Sequence, residues 1–114
     1  MAGGKRVIAK SAELADGGKG LRFAVEIGGQ AAPAFAVRCG GKVFAYLNRC
    51  AHLGVELDWS EGEFFDDSGL YLVCATHGAT YRPGNGHCTG GPCKGKTLEP
   101  IAIAESDGVI YLLE

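Results

Sequence analysis

Two short stretches concentrate the residues able to bind metal or carry redox chemistry: Cys50-Ala51-His52-Leu53-Gly54 and Cys74-Ala75-Thr76-His77-Gly78. The chain holds 5 cysteines and 3 histidines, and two of each fall in these near-copies. Thiolate and imidazole suit zinc, copper and iron–sulfur centres. A structural zinc site usually pairs Cys-x₂₋₄-Cys with His-x₃₋₅-His. Here each loop mixes one of each kind, and Cys-x-His is tight for two ligands on one tetrahedral ion. A centre of two metals fits better, each loop sending its cysteine to one metal and its histidine to the other. Gly54 and Gly78 close the two stretches, and glycine lets a backbone approach a ligand closely. A cysteine nucleophile with a histidine base is the competing chemistry. One nucleophile needs one base, so two matched loops argue against it.

Two histidines replacing two cysteines on one of two irons is the ligation of a Rieske [2Fe–2S] centre. The sequence resembles the Rieske-type ferredoxins, soluble electron carriers that serve bacterial multicomponent oxygenases. Their pattern, C-x-H-x-G followed by C-x-x-H-G, is present as "CAHLG" and "CATHG". The strand and hairpin order, the stretch Thr89–Pro92 and the final segment Ile101–Leu113 extend the resemblance from Lys5 onward. It implies Cys50, His52, Cys74 and His77 as cluster ligands. Leu53, Gly54, Gly78, Ala79, Tyr81 and Pro92 would surround them. The interval between His52 and Cys74 (residues 53–73) is longer than family members usually show. The excess falls in Asp58–Gly69, a surface excursion between the loops. Membrane-complex relatives brace the cluster with an extra cysteine pair; Val55 and Thr76 stand there, which favours the soluble branch.

Charge explains the ligation. Four thiolates would leave an oxidised core doubly negative before any electron arrives, whereas two thiolates with two neutral imidazoles leave it neutral. Rieske potentials accordingly lie at about −150 to +300 mV, against roughly −400 mV for plant-type clusters. Hydrogen bonds to sulfur favour the reduced state. High-potential relatives carry a serine after the His-Gly pair; Ala79 stands there and cannot donate, while the resemblance implies that the Tyr81 hydroxyl reaches a ligand sulfur. The resemblance therefore implies a potential in the lower part of the Rieske range, falling at alkaline pH as the histidine ligands lose their second proton.

The other candidates have plainer readings. Cys88 and Cys93, in "HCTGGPC", read as packed thiols, with a short disulfide as the alternative. Cys39 reads as a small core residue and His87 as a polar loop residue. Trp59, Phe64 and Phe65 read as a small core beneath the excursion. Val25, Ile27, Phe35, Val37 and Phe44 read as the main core.

The elements that must position the two loops are strands. Leu21, Phe23, Val25 and Ile27 alternate, so they share one face. Gly28-Gly29 ends that strand, Pro33–Cys39 resumes, and Gly40-Gly41 leads into Lys42–Leu47. Strand, glycine pair and strand is a hairpin signal. Arg6–Ala9 and Leu70–Cys74 are further strands. Leu98–Ala104 and Val109–Leu113 form a last hairpin around Asp107-Gly108. The one helix candidate is a single turn near Ser11–Ala15, which Ser11 would cap. This predicts an all-β chain of seven to nine short strands. By resemblance the fold is Rieske-like: three antiparallel sheets with a loop-rich cluster-binding subdomain. Residues 1–114 read as a single domain, the cluster-binding part spanning about 48–97.

With 11 basic and 13 acidic residues the net charge is −2, which carries no basic footprint for nucleic acid. No apolar run approaches the ~18 residues of a membrane helix, and the N-terminus lacks a secretory core. The expectation is a cytoplasmic one-electron carrier, without a small-molecule substrate and not itself an enzyme. By resemblance it takes electrons from a ferredoxin reductase and passes them to a terminal oxygenase. The alternatives are a small Rieske subunit of a larger oxidoreductase complex, of nitrite-reductase type, or a zinc-stabilised or clusterless β module that only binds partners.

Overall fold

Glycine pairs decide where this chain reverses. The computed structural model describes residues 5–49, 57, 62–66, 69–74, 78–91 and 96–113. Its first strand is β1 (Lys5–Lys10), followed by a single 3-10 turn at Ser11–Glu13. Ser11 is not the cap of that turn. Lys10 holds the cap position, and its backbone N–H donates to the Glu13 carboxylate at 2.7 Å, a stronger acceptor than a hydroxyl. Next come β2 (Leu21–Ile27), β3 (Gln30–Cys39) and β4 (Lys42–Leu47), joined as two antiparallel hairpins. Gly28, Gly29, Gly40 and Gly41 make the turns, with φ from +59° to +82°. These are values that side chains resist and hairpin turns require.

Three very short strands follow: β5 (Leu72–Val73), β6 (Thr80–Tyr81) and β7 (Cys88–Gly90). The last hairpin is β8 (Ile103–Ser106) with β9 (Val109–Leu113), turning through Asp107 and Gly108, both at positive φ. The strands form three antiparallel sheets, ordered β1-β9-β8, β2-β3-β4 and β5-β6-β7. No helix among the described residues is long and apolar enough to cross a membrane.

The middle strand β3 organises the whole. Ala34, Phe35, Ala36 and Val37 are all buried, so both faces of the strand are covered. Ala34 and Ala36 pack with Ala45, Ile110, Leu47 and Leu112, small residues that let the sheet carrying β1, β8 and β9 approach closely. Phe35 and Val37 point the other way and join Tyr46, Leu57, Phe64, Leu72, Cys74, Tyr81 and Leu98. That second face is the floor on which the short-stranded sheet stands. Phe44 packs against its rim. Along β2 burial fades towards the hairpin tip. Val25 is buried, but Ile27 is 45% exposed, so Ile27 does not belong to the core. Arg38 crosses between sheets, with an ion pair to Glu105 at 2.5 Å.

Candidate metal centre

β5 ends where chemistry begins. Leu72 and Val73 pair with Tyr81 and Thr80, and the next residue, Cys74, is completely buried and not disulfide-bonded. The Cys74 N–H donates to the Ala79 carbonyl, and the Gly78 N–H donates to the Cys74 carbonyl, both at 2.8 Å. These two bonds close the neck of the loop. Gly78 sits at φ +72°, a conformation that its lack of a Cβ permits.

A second wall stands against this neck. Gly91 has φ +85°, and a Cβ placed there would lie 2.9 Å from the Ala79 Cα and 3.2 Å from the Gly78 carbonyl oxygen. Only glycine lets the chain leaving β7 pass so close. The Thr80 and Thr89 hydroxyls meet at 2.9 Å across β6 and β7. Below them, the Tyr46 hydroxyl donates to the Pro83 carbonyl at 2.6 Å, tying the turn between β6 and β7 to the main sheet. Burial pushes the Tyr46 phenol up to about 12, so it remains a donor at any working pH. Tyr81 is fully buried within β6.

The base of the other loop is also built. The Asn48 N–H donates to the Pro33 carbonyl at 2.9 Å, just beyond the end of the β3–β4 ladder. The Asn48 side-chain oxygen accepts from the Leu57 N–H at 2.8 Å. The excursion returns over Phe64, which stacks on Phe35 with ring centroids 4.1 Å apart. Phe64 thus belongs to the main core rather than to a separate one, and Phe65 packs beside it.

Of the residues singled out in the sequence, Cys74, Gly78, Ala79 and Tyr81 come together around one neck. Cys50, His52, Leu53, Gly54, Val55, Trp59, Thr76, His77, Pro92 and Cys93 lie outside the described residues. Among the described residues no three of His, Cys, Asp or Glu gather closely enough to hold a metal. Two thiol assignments are corrected. Cys88 is disulfide-bonded rather than a packed thiol. Cys39, at the end of β3, is only half-buried and stands outside the core cluster that holds Cys74. His87 is exposed, with its N–H bonded to the Asn85 side chain at 2.9 Å. Asn48, Tyr46 and Gly91 were not singled out in the sequence. The only signal for Asn48 is its place between an apolar strand and Cys50.

Cys74, the one described residue of the expected donor set, has the chemistry of a metal ligand. A thiol in apolar surroundings resists ionisation, and a coordinating metal supplies the charge that a buried thiolate lacks. Cys74 lies in such apolar surroundings, at the neck that its backbone bonds to Gly78 and Ala79 close. A cavity of about 530 Å³ lies elsewhere. Arg6, Val25, Ile27, Ile101 and Leu112 help to line it, and the sheet β5-β6-β7 contributes nothing.

Residues 4–106 match the family model of the Rieske [2Fe–2S] domain. No curated protein sequence matches the chain. The fold is similar to that of the Sphingomonas yanoikuyae B1 ferredoxin: 21% identity, TM-score 0.72, covering 97% of this chain and 99% of that one. It is also similar to a chain in the complex of reduced oxygenase and oxidized ferredoxin of carbazole 1,9a-dioxygenase (20%, TM-score 0.72, 96% and 92%). A third similarity is to the terminal oxygenase of carbazole 1,9a-dioxygenase from Nocardioides aromaticivorans IC177 (23%, TM-score 0.73). There it covers 98% of this chain but only 30% of the oxygenase. In another oxygenase–ferredoxin complex of carbazole 1,9a-dioxygenase the chain spans 29% of the protein matched. The family match, with the geometry around Cys74, supports one conclusion: the chain belongs to the Rieske [2Fe–2S] domain family, and its cofactor is a Rieske-type [2Fe–2S] cluster.

Proposed function

We propose that this protein is a one-electron carrier, a ferredoxin rather than a catalyst. Cys50 and Cys74 would hold one iron and His52 and His77 the other. When bound, the cluster would supply one-electron chemistry, a change between ferric and ferrous at one of its irons. What the chain contributes is shape. The closed neck at Cys74, Gly78 and Ala79 keeps one ligand loop in place in both redox states, which limits reorganisation on electron transfer. Tyr81 is the residue proposed to donate to a ligand sulfur, and Ala79 leaves the place of a second donor empty. The potential then lies low in the Rieske range. Ala79→Ser raises it and Tyr81→Phe lowers it, as voltammetry would read.

The observation that carries this reading is the buried Cys74, outside any disulfide, at a hydrogen-bonded neck inside the matched Rieske domain. The proposed partners are a flavin-dependent, NAD(P)H-oxidising reductase as donor and a terminal oxygenase as acceptor. The full-length similarity to a ferredoxin supports that placement. The proposed compartment is the cytoplasm, which keeps thiols such as Cys74 and Cys39 reduced. Cys88 is disulfide-bonded and its side chain is buried. The test is reconstitution. Reductase, this protein and an aromatic-ring oxygenase together should oxidise substrate, and omission of this protein should stop electron flow.

The same fold also occurs as a minor part of a terminal oxygenase chain, which favours one rival: a Rieske unit serving inside a larger enzyme. A monomer on gel filtration that reduces an oxygenase in trans supports the carrier. A large subunit that co-purifies in fixed ratio supports the rival.

A further inference from the structure

We infer that Asn48 is a positioning residue for the cluster: a buried clasp that closes the base of the first ligand loop. Asn48 is 1% exposed and is the one buried polar or charged side chain among the described residues. A polar side chain is retained in such a place only where its hydrogen bonds are made. Its backbone N–H is fixed to the Pro33 carbonyl at 2.9 Å, so the residue belongs to the rigid sheet. Its side chain meets the Leu57 N–H at 2.8 Å. A backbone N–H can only donate, so the amide oxygen must face Leu57, which fixes the flip of the side chain. Leu57 is itself completely buried, packed in the cluster of Phe35, Phe64, Leu72 and Cys74.

Residues 48 and 57 bracket the segment that carries Cys50 and His52. The two ligand loops are therefore closed by different means. The second uses two backbone hydrogen bonds between Cys74, Gly78 and Ala79. In the first, a side chain supplies a bond that bridges the ends of the loop. A buried hydrogen bond in low dielectric is worth more than an exposed one. Losing the acceptor would leave the Leu57 N–H unpaired in the core. The loop would then open at its base, and the entropy of holding Cys50 and His52 together would fall on the cluster itself.

The inference rests on the proposal that Cys50 and His52 are ligands. The test uses the cluster-loaded protein and its Asn48→Leu and Asn48→Asp variants. Leucine has similar volume and no acceptor; aspartate keeps the acceptor. Cluster loss is followed by visible absorbance in the presence of an iron chelator, with the thermal midpoint measured in parallel. The expected result for Asn48→Leu is release on the order of tenfold faster, the range found for outer-shell partners of metal ligands. Asn48→Asp, which keeps the acceptor at the cost of a buried carboxyl, should release the cluster more slowly than Asn48→Leu. Equal release from all three, or equal acceleration in both variants, overturns the clasp. If Asn48→Leu does not fold, amide exchange of the loaded wild-type protein decides. Leu57 should exchange as slowly as the β3 core, and rapid exchange there contradicts the inference. A Cys50→Ala protein that keeps its [2Fe–2S] absorbance would instead sink the ligand assignment, whatever Asn48 does.

Discussion

The two halves of this molecule are held together in different ways. The sheets β1-β9-β8 and β2-β3-β4 have strands of 4 to 10 residues in long ladders, interrupted once by an irregularity between Val7 and Ala9. The sheet β5-β6-β7 has strands of 2, 2 and 3 residues, too few for a ladder to be stable by itself. It persists because large side chains beneath it are packed against Phe35, Val37 and Tyr46 of the main sheet. Individual bonds, such as Tyr46 to Pro83 and Asn48 to Leu57, then fix its loops. The scaffold is redundant, whereas the site depends on a few contacts, each of which matters.

That difference predicts unequal sensitivity. The largest effect is expected for Phe64→Ala, which removes a buried ring stacked on Phe35. It should cost about 3–5 kcal/mol in a denaturant titration and release the cluster early. Gly91→Ala comes next. Its Cβ would press on the Ala79 backbone, for about 1–3 kcal/mol. Cluster loading should fall while the circular dichroism of the main sheets stays native. Tyr46→Phe removes the bond to Pro83 and should cost about 1–2 kcal/mol. The same residue predicts an alkaline limit. Its pKa is raised by burial from 10.0 to about 12. The stability from keeping the phenol neutral is intact below pH 10 and is lost as pH rises from there towards 12.

The smallest effect belongs to the scaffold. The Arg38 guanidinium holds the Glu105 carboxyl below its ordinary value of 4.5. Its contribution is present above that pH and is lost as pH falls through the lowered value. Glu105→Gln should cost no more than about 1 kcal/mol at neutral pH, as expected of a partly exposed pair, and should leave the cluster unaffected. A large loss of cluster from this change would erase the contrast between the two halves.

The same contrast explains what the sequence made legible. The scaffold announced itself through alternation and glycine pairs, because long strands repeat a period and tight turns demand positive φ. Leu21–Ile27, the two Gly-Gly turns and the Asp107-Gly108 hairpin stand where those signals put them. Thr80–Tyr81 and Cys88–Gly90 left no such trace, since a strand of two or three residues has no period to show. Ile27 fits the alternation, yet burial fades towards the hairpin tip and leaves it exposed. Cys74 and Gly78 were marked out by residue type and spacing, and the structure brings them to one neck; their place in a ligand set is a proposal. Asn48 was not marked out, because a clasp depends on where Leu57 returns, and that is a matter of tertiary structure.

The central claim is that two irons are held by sulfur on one side and nitrogen on the other. Pulsed electron paramagnetic resonance of the dithionite-reduced protein tests it most directly. The account predicts a mixed-valence [2Fe–2S] signal with strong couplings to two imidazole nitrogens, lost in His52→Ala and His77→Ala. A cluster with no nitrogen coupling, or a colourless protein containing zinc, would contradict it.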